Sequence, residues 1–332
     1  MAKTAVGILG TGSYLPKDIV SNEEVARLAG VTAEWIERKT QITSRRYAAP
    51  DEATSDLATK AARAALEQTG IPAERIDYII VSTSTGDYPQ PPTSALVQHQ
   101  LEAYGAACFD VNVVCSGFVF ALEMARGLVE LRPGSLALVV AADTYSRILD
   151  LTDRRTAVLF ADGAGAAVVG AVPEPYGILD TELTTRGDAH ALIRVEAGGS
   201  RRPASHETVD EGGHHFKMNG RGVRDFVAEN VPGALRGIVE RAGFRMNDVE
   251  HFVPHQANGV MLGDLVASTG LTGAHTHRTL ERYGNVGSAS VPVALDDANR
   301  SGAIKDGDLV LMAGFGGGMA MGTTLLRWAV TA

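Results

Sequence analysis

The sequence is short of cysteine: its 332 residues hold two, Cys108 and Cys115. A pair seven residues apart builds neither a disulfide framework nor a zinc site, and so sparing a use of cysteine fits a reducing cytoplasm. Positive charge is also scarce. A net charge of −9 argues against nucleic acid as a partner, because phosphate binding needs clustered Lys and Arg. No apolar run approaches the ~20 residues that span a bilayer, so no membrane is expected. The opening MAKTAVGILGTG is too short in its apolar part, and too interrupted by glycine, to read as a signal peptide. What is plentiful is glycine, 37 residues clustered at turns. The composition is otherwise that of a globular protein, 45% hydrophobic and 21% charged, and long enough for one large or two medium domains.

Short β-rich runs alternate with helical stretches, an α/β pattern. Tyr78–Val81, Ala107–Val114 and Leu136–Ala141 read as strands buried on both faces. Ser55–Gly70, Thr93–Leu101 and Ser116–Leu131 read as helices, the last with Phe118, Leu122, Ala125 and Val129 on one face. The second half repeats this order. CSGFVFALEMARGLVELRPGSLALVVAAD and NVGSASVPVALDDANRSGAIKDGDLVLMAGF each run from a polar residue through a helix and a glycine turn to a buried strand. Each then reaches a glycine-rich hairpin, FADGAGAAVVG or FGGGMAMGTTLL. This predicts a duplication with halves 1–172 and 173–332 joined near VPEPYG, and it places Cys115 and Asn285 at equivalent strand-to-helix junctions.

Cys115 falls at a helix start, where free N–H groups and the helix dipole favour a thiolate. That setting lowers a cysteine pKa from ~8.5 to between roughly 3.5 and 7.5 and makes a nucleophile; the competing reading is a small buried core residue. Cys108, inside a strand, reads as inert. His255, in EHFVPHQAN, comes at the C-terminal end of a strand, where catalytic groups of α/β sheets collect. Asn285, in ERYGNVGSAS, suits a helix N-cap or a site residue. His214 and His215 are adjacent and lack a third ligand, so no metal is expected. Three lookalike motifs fail. GILGTGSYLP lacks the third glycine of a dinucleotide loop and runs into Pro16. VCSGF lacks the glycines of a hydrolase elbow. DGAGAA at 162–167 has no phosphate-loop lysine, and tight hairpin turning accounts for its glycines.

Taken together, the segments GTGSYLP, EWIERKT, AAPDEAT, CSGFVFALEMA, TDRRTAVLFADGAGAAVV, VPHQAN, GNVGSASVPVALDDA and GFGGGMAMG resemble, in order, the β-ketoacyl-acyl-carrier-protein synthase III family. The resemblance covers nearly the whole chain. It implies a thiolase-like, duplicated five-layer α-β-α-β-α fold and a Cys–His–Asn triad at Cys115, His255 and Asn285. It implies an oxyanion hole from the backbone N–H groups of Cys115 and Gly317. It also implies a coenzyme A clasp at Trp35 and Arg154, with Lys39 where the family usually has arginine. No cofactor is implied: acyl-CoA and a malonyl thioester are substrates, and a homodimer is expected. Thiolases need a second cysteine near the C-terminus, and none follows Cys115.

The expected reaction is acyl loading on Cys115 from acyl-CoA, then decarboxylative condensation with malonyl-acyl carrier protein. The alternative is acyl transfer to a hydroxyl or amine of a small molecule, with His255 as general base; a purely binding protein is the third and least favoured reading. Departures bear on the acceptor. Val260 stands where the family's docking arginine falls, and Arg224 and Asp225 replace an aromatic and a lysine. Gln41 replaces a glycine. An acidic carrier protein steered by complementary charge finds this face poor. Tyr88 to Thr93, in DYPQPPT, is expected to wall the acyl pocket.

Overall fold

The computed structural model describes residues 4–330. Two five-stranded sheets form its frame. The first runs Thr4–Tyr14, Asp162–Pro173, Ala137–Thr144, Tyr78–Ser82, Ala107–Val111; the second runs Gly177–Thr185, Ala320–Arg327, Leu309–Gly316, His251–Pro254, His275–Thr276. In both, the first two pairings are antiparallel and the last two parallel. The first half's chain ends its sheet at Pro173 and the second begins at Gly177.

Helices Gly117–Leu131 and Ser290–Arg300 lie between the sheets, and the core there includes Phe118, Leu122, Val291, Leu295, Val139 and Val310. Outside the first sheet, helix Thr54–Thr69 buries Leu57, Ala58, Ala61, Ala62 and Ala65, the i, i+3, i+4 stripe of a helix laid on a sheet. Outside the second, Gly220–Arg241 contributes Val227, Val231, Leu235 and Ile238 and is joined by Gly259–Thr269. The layers are therefore α-β-α-β-α. Ala137–Thr144 and Leu309–Gly316, mid-sheet in each half, are buried throughout, as strands covered on both faces must be.

Two sequence expectations change. Ala107–Val114 is not a strand buried on both faces: it stops at Val111 and forms a half-exposed sheet edge, where Cys108 packs against the outer core. The DGAGAA glycines do not turn a hairpin. They lie within the Asp162–Pro173 strand, where a Cβ on Gly165 would come 2.8 Å from Pro292 of a central helix. GILGTG is likewise a strand, and a Cβ on Gly12 would fall 2.3 Å from the Ala65 nitrogen. Small residues there let helices sit close on the sheet.

Candidate active site

Cys115 occupies a single helical turn, Val114–Ser116, immediately before the Gly117–Leu131 helix. The turn opens on Val114 at φ 47, a left-handed conformation that a β-branched residue adopts only under strain of order 1–3 kcal/mol. The Ser116 hydroxyl donates to the Ala320 carbonyl at 2.7 Å, fastening the turn to the opposite half. A Cβ on Gly316 would lie 3.0 Å from the Cys115 sulfur, so glycine there gives the sulfur its room.

His255 follows the strand His251–Pro254, its N–H donating to the Ala313 carbonyl at 2.7 Å. The next residues of VPHQAN hold the bend. Buried Gln256 donates to the Pro254 and His277 carbonyls and accepts from the Thr279 and Leu280 N–H groups. Asn258 caps the Gly259–Thr269 helix through Val260 and Met261 and donates to the Lys39 carbonyl. The imidazole packs edge-on against Phe315, centroids 5.4 Å apart. Its Nδ1 is buried without a partner, which leaves Nε2 to serve the cavity. Burial lowers its pKa to about 3, so the ring is neutral at physiological pH.

Asn285 is held by its backbone, donating to the Leu159 carbonyl and accepting from the Ala161 N–H at 2.8 Å. Its Oδ1 accepts the Gly287 N–H at 3.0 Å, so the amide nitrogen is the end left for a ligand. Cys115, His255, Asn285, Phe315 and Gly316 line one cavity of about 370 Å³. A wider cleft of about 890 Å³ contains Trp35, Arg154 and Arg221, and shares Lys39, Arg155, Leu159, Met218, Gly220 and Asn258 with the cavity. The two make a path from solvent to the sulfur. Arg154, Lys39 and Arg221 have no carboxylate partner among the described residues, so the cleft is cationic. Gly317 adjoins Gly316 in the tight turn Gly317–Met319 and packs on Val114, not on the cavity wall.

Several expectations need correction. The thiol pKa is not lowered at the helix start; it is pushed well up, by burial first and then by the charge of Asp143. Desolvation of a fully buried thiolate outweighs the dipole of a helix whose first residue, Gly117, lies two positions on. The sulfur is not without titratable neighbours: the Tyr145 hydroxyl interacts with it, and Asp143 stands behind. Neither residue lies near Cys115 in sequence, and only the close of strand Ala137–Thr144 brings them in. Cys115 and Asn285 do not share a junction position either. By helix start, Cys115 corresponds to Ser288, and Asn285 to Asn112. Tyr88 to Thr93 does not line the cavity; Tyr88 is 60% exposed in a surface loop. His215 borders the outer cleft and His214 is exposed, and no cluster suited to a metal occurs among the described residues.

Residues 109–187 match the family model for 3-oxoacyl-[acyl-carrier-protein (ACP)] synthase III, and 239–328 match that for its C-terminal part. The chain is 53% identical over 323 residues to an acetoacetyl CoA synthase of Streptomyces sp. (strain CL190), covering 97% of this chain and 98% of the relative. It is 43% identical over 327 residues to the beta-ketoacyl-[acyl-carrier-protein] synthase III of Caldanaerobacter subterraneus subsp. tengcongensis, covering 98% and 99%. Among solved structures, the priming beta-ketosynthase of the R1128 polyketide pathway is 37% identical with a TM-score of 0.91, over 99% of this chain and 97% of that one. The 3-oxoacyl-[acyl-carrier-protein] synthase III of Aquifex aeolicus VF5 is 34% identical with a TM-score of 0.90, over 98% and 100%.

Proposed function

This chain belongs to the 3-oxoacyl-[acyl-carrier-protein] synthase III family, and from that premise we propose that it is a condensing enzyme that joins two acyl thioesters through Cys115, His255 and Asn285. The observation that carries the reading is the convergence of a thiol, a neutral imidazole and a carboxamide on one cavity at the end of a cationic cleft.

The acyl-CoA enters with its phosphates among Arg154, Lys39 and Arg221 and its adenine against Trp35. The Cys115 sulfur attacks the thioester carbonyl, the bond to the CoA sulfur breaks, and the thiol proton is balanced by protonation of departing CoA. Negative charge on the carbonyl oxygen is met by the backbone N–H of Cys115, on the cavity wall; Gly317, off that wall, is not assigned as the second donor. A malonyl thioester then replaces CoA. Its C–C bond to the carboxylate breaks, carbon dioxide leaves, and the electron pair passes into an enolate. His255 Nε2–H and the Asn285 amide donate to that oxygen; a neutral ring can donate without competing for the proton. The carbanion attacks the acyl carbonyl, the carbon–sulfur bond to Cys115 breaks, and the departing thiolate takes from solvent the one proton that the reaction consumes. No cofactor takes part. Transfer to a hydroxyl or amine is less well supported, because nothing in that reaction uses the Asn285 amide.

The carrier of the malonyl group has two readings. The family's usual acceptor is malonyl-acyl carrier protein. A specific observation favours malonyl-CoA: where the resemblance places docking cations the chain has Val260 and Asp225, both exposed, and Arg224, at the cavity mouth, is paired to Asp264 at 3.2 Å. The acetoacetyl CoA synthase relative, whose named product is a CoA thioester, agrees. A homodimer is also proposed, since the Ala107–Val111 edge leaves a strand free to pair. No helix among the described residues is long and apolar enough to cross a membrane, and a cytoplasmic site of action is proposed.

The test is carbon dioxide release and product identity with malonyl-CoA and malonyl-acyl carrier protein after loading with acyl-CoA. A β-ketoacyl thioester with stoichiometric carbon dioxide supports condensation. Acyl transfer without carbon dioxide would replace it by the transferase reading.

A further inference from the structure

The two sheets match strand for strand, so the cavity residues at strand ends and central-helix starts have counterparts. The turns Val114–Ser116 and Gly287–Ala289 each open on a left-handed residue, Val114 at φ 47 and Gly287 at φ 59, and each leads into a central helix. Ser288 thus stands for Cys115. Thr83, first after strand Tyr78–Ser82, stands for His255, first after His251–Pro254. Asp143, seventh of the eight residues in Ala137–Thr144, stands for Phe315 in Leu309–Gly316.

The counterpart site is filled from within. Asp143 is fully buried. Its Oδ2 accepts from the Ser288 N–H at 2.8 Å and the Ser288 hydroxyl at 2.7 Å. Its Oδ1 accepts from the Ser84 N–H, the Ser84 and Thr85 hydroxyls, and Thr83 at 3.3 Å. Each oxygen takes a backbone N–H; burial raises the carboxyl pKa and these hydrogen bonds pull it back towards the ionised form, and no cation forms an ion pair with it among the described residues. The N–H of Ser288 is the counterpart of the Cys115 N–H proposed to hold an oxyanion; here it holds a carboxyl oxygen of the chain itself. A fully buried carboxyl group met only by neutral dipoles must keep nearly all of them, and those dipoles come from both halves of the molecule.

We propose that Asp143 is a positioning residue for the condensation: by occupying the counterpart site it clamps the Gly287–Ala289 turn, and through the Gly287 N–H the Asn285 amide, against the half that carries Cys115. The same carboxylate faces Cys115 electrostatically and opposes loss of the thiol proton. The remaining titratable group between them is Tyr145, whose hydroxyl is 3.0 Å from the Ser84 hydroxyl. The clamp therefore acts on both partners of the reaction, fixing one and holding the other as a thiol until substrate arrives.

The inference rests on the condensation reading, but alkylation of Cys115 by iodoacetamide needs neither substrate, so the two fail separately. Asp143→Asn should lower malonyl decarboxylation about tenfold while moving the alkylation profile down by about one pH unit, about tenfold faster labelling at neutral pH. A merely structural role would lower activity with no such shift, and an unmoved or raised profile overturns the proposal. Should the Asn variant not fold, Ser288→Ala decides. It keeps the charge and loosens the turn, so decarboxylation should fall about tenfold with acyl-enzyme formation within about twofold and an unmoved alkylation profile. Equal loss of both half-reactions would overturn the clamp.

Discussion

Cys115 stands in an environment where burial and the Asp143 charge both resist ionisation. The account therefore expects iodoacetamide labelling to rise about tenfold per pH unit from about pH 7 to about pH 9; a plateau below pH 8, the mark of an acidic thiol, would contradict it. The helix start was legible in VNVVCSGFVF, and with it the nucleophile's place. Its electrostatics were not, because Asp143 and Tyr145 arrive from the end of another strand and desolvation has no sequence signature. His255 has a second consequence. With a folded pKa of about 3 and an unfolded one near 6.5, the unfolded chain binds a proton that the native state refuses. Stability is then full above about pH 6.5 and falls as pH drops towards 3, by up to about 1.4 kcal/mol per pH unit. His255→Gln should flatten that part of the acid limb in denaturant titrations, and an unchanged slope would show the ring to be protonated in the native protein.

The turns before the two central helices carry the site, and their tolerance is narrow. A Cβ on Gly287 would meet the Tyr145 ring at 2.4 Å and Asp143 Oδ2 at 2.5 Å, in a left-handed backbone. Gly287→Ala should cost about 2–4 kcal/mol, from strain and overpacking together, read as a shifted denaturation midpoint; a loss under about 0.5 kcal/mol would mean that the turn is slack. Helical periodicity marked the helices well: Thr93–Leu101 has the observed bounds, and Phe118, Leu122, Ala125 and Val129 are buried. The glycines were less readable. GTG and DGAGAA look like turns, but a strand that must admit a helix closely uses the same residue, and only the packing partner tells them apart. Ala107–Val111 failed for a related reason, since an apolar edge strand and a central one have the same composition.

At the scale of the whole molecule, the two sheets bring residues from opposite halves to one cavity, and we propose that the charge at its mouth selects the carrier of the malonyl group. The α/β class and the order of elements could be read from alternation of runs, and the eight ordered motifs pointed to the family that the relatives bear out. Which residues superpose could not, because an inserted short helix, Leu280–Tyr283, displaces the count before the second turn. The rim makes a separable prediction. Val260→Arg with Asp225→Lys should raise kcat/KM for malonyl-acyl carrier protein about tenfold at low salt, with the gain shrinking at high salt, and leave malonyl-CoA within about twofold. An equal response to both donors would remove the charge argument for the acceptor.

The most direct measurement is the intact mass of the protein during a single turnover. With acyl-CoA alone it should gain one acyl group, located on the Cys115 peptide and absent in Cys115→Ala. On addition of a malonyl thioester the group should leave as a β-ketoacyl thioester with one carbon dioxide. An adduct elsewhere, or one on Cys115 that malonyl thioester does not discharge, would contradict the account.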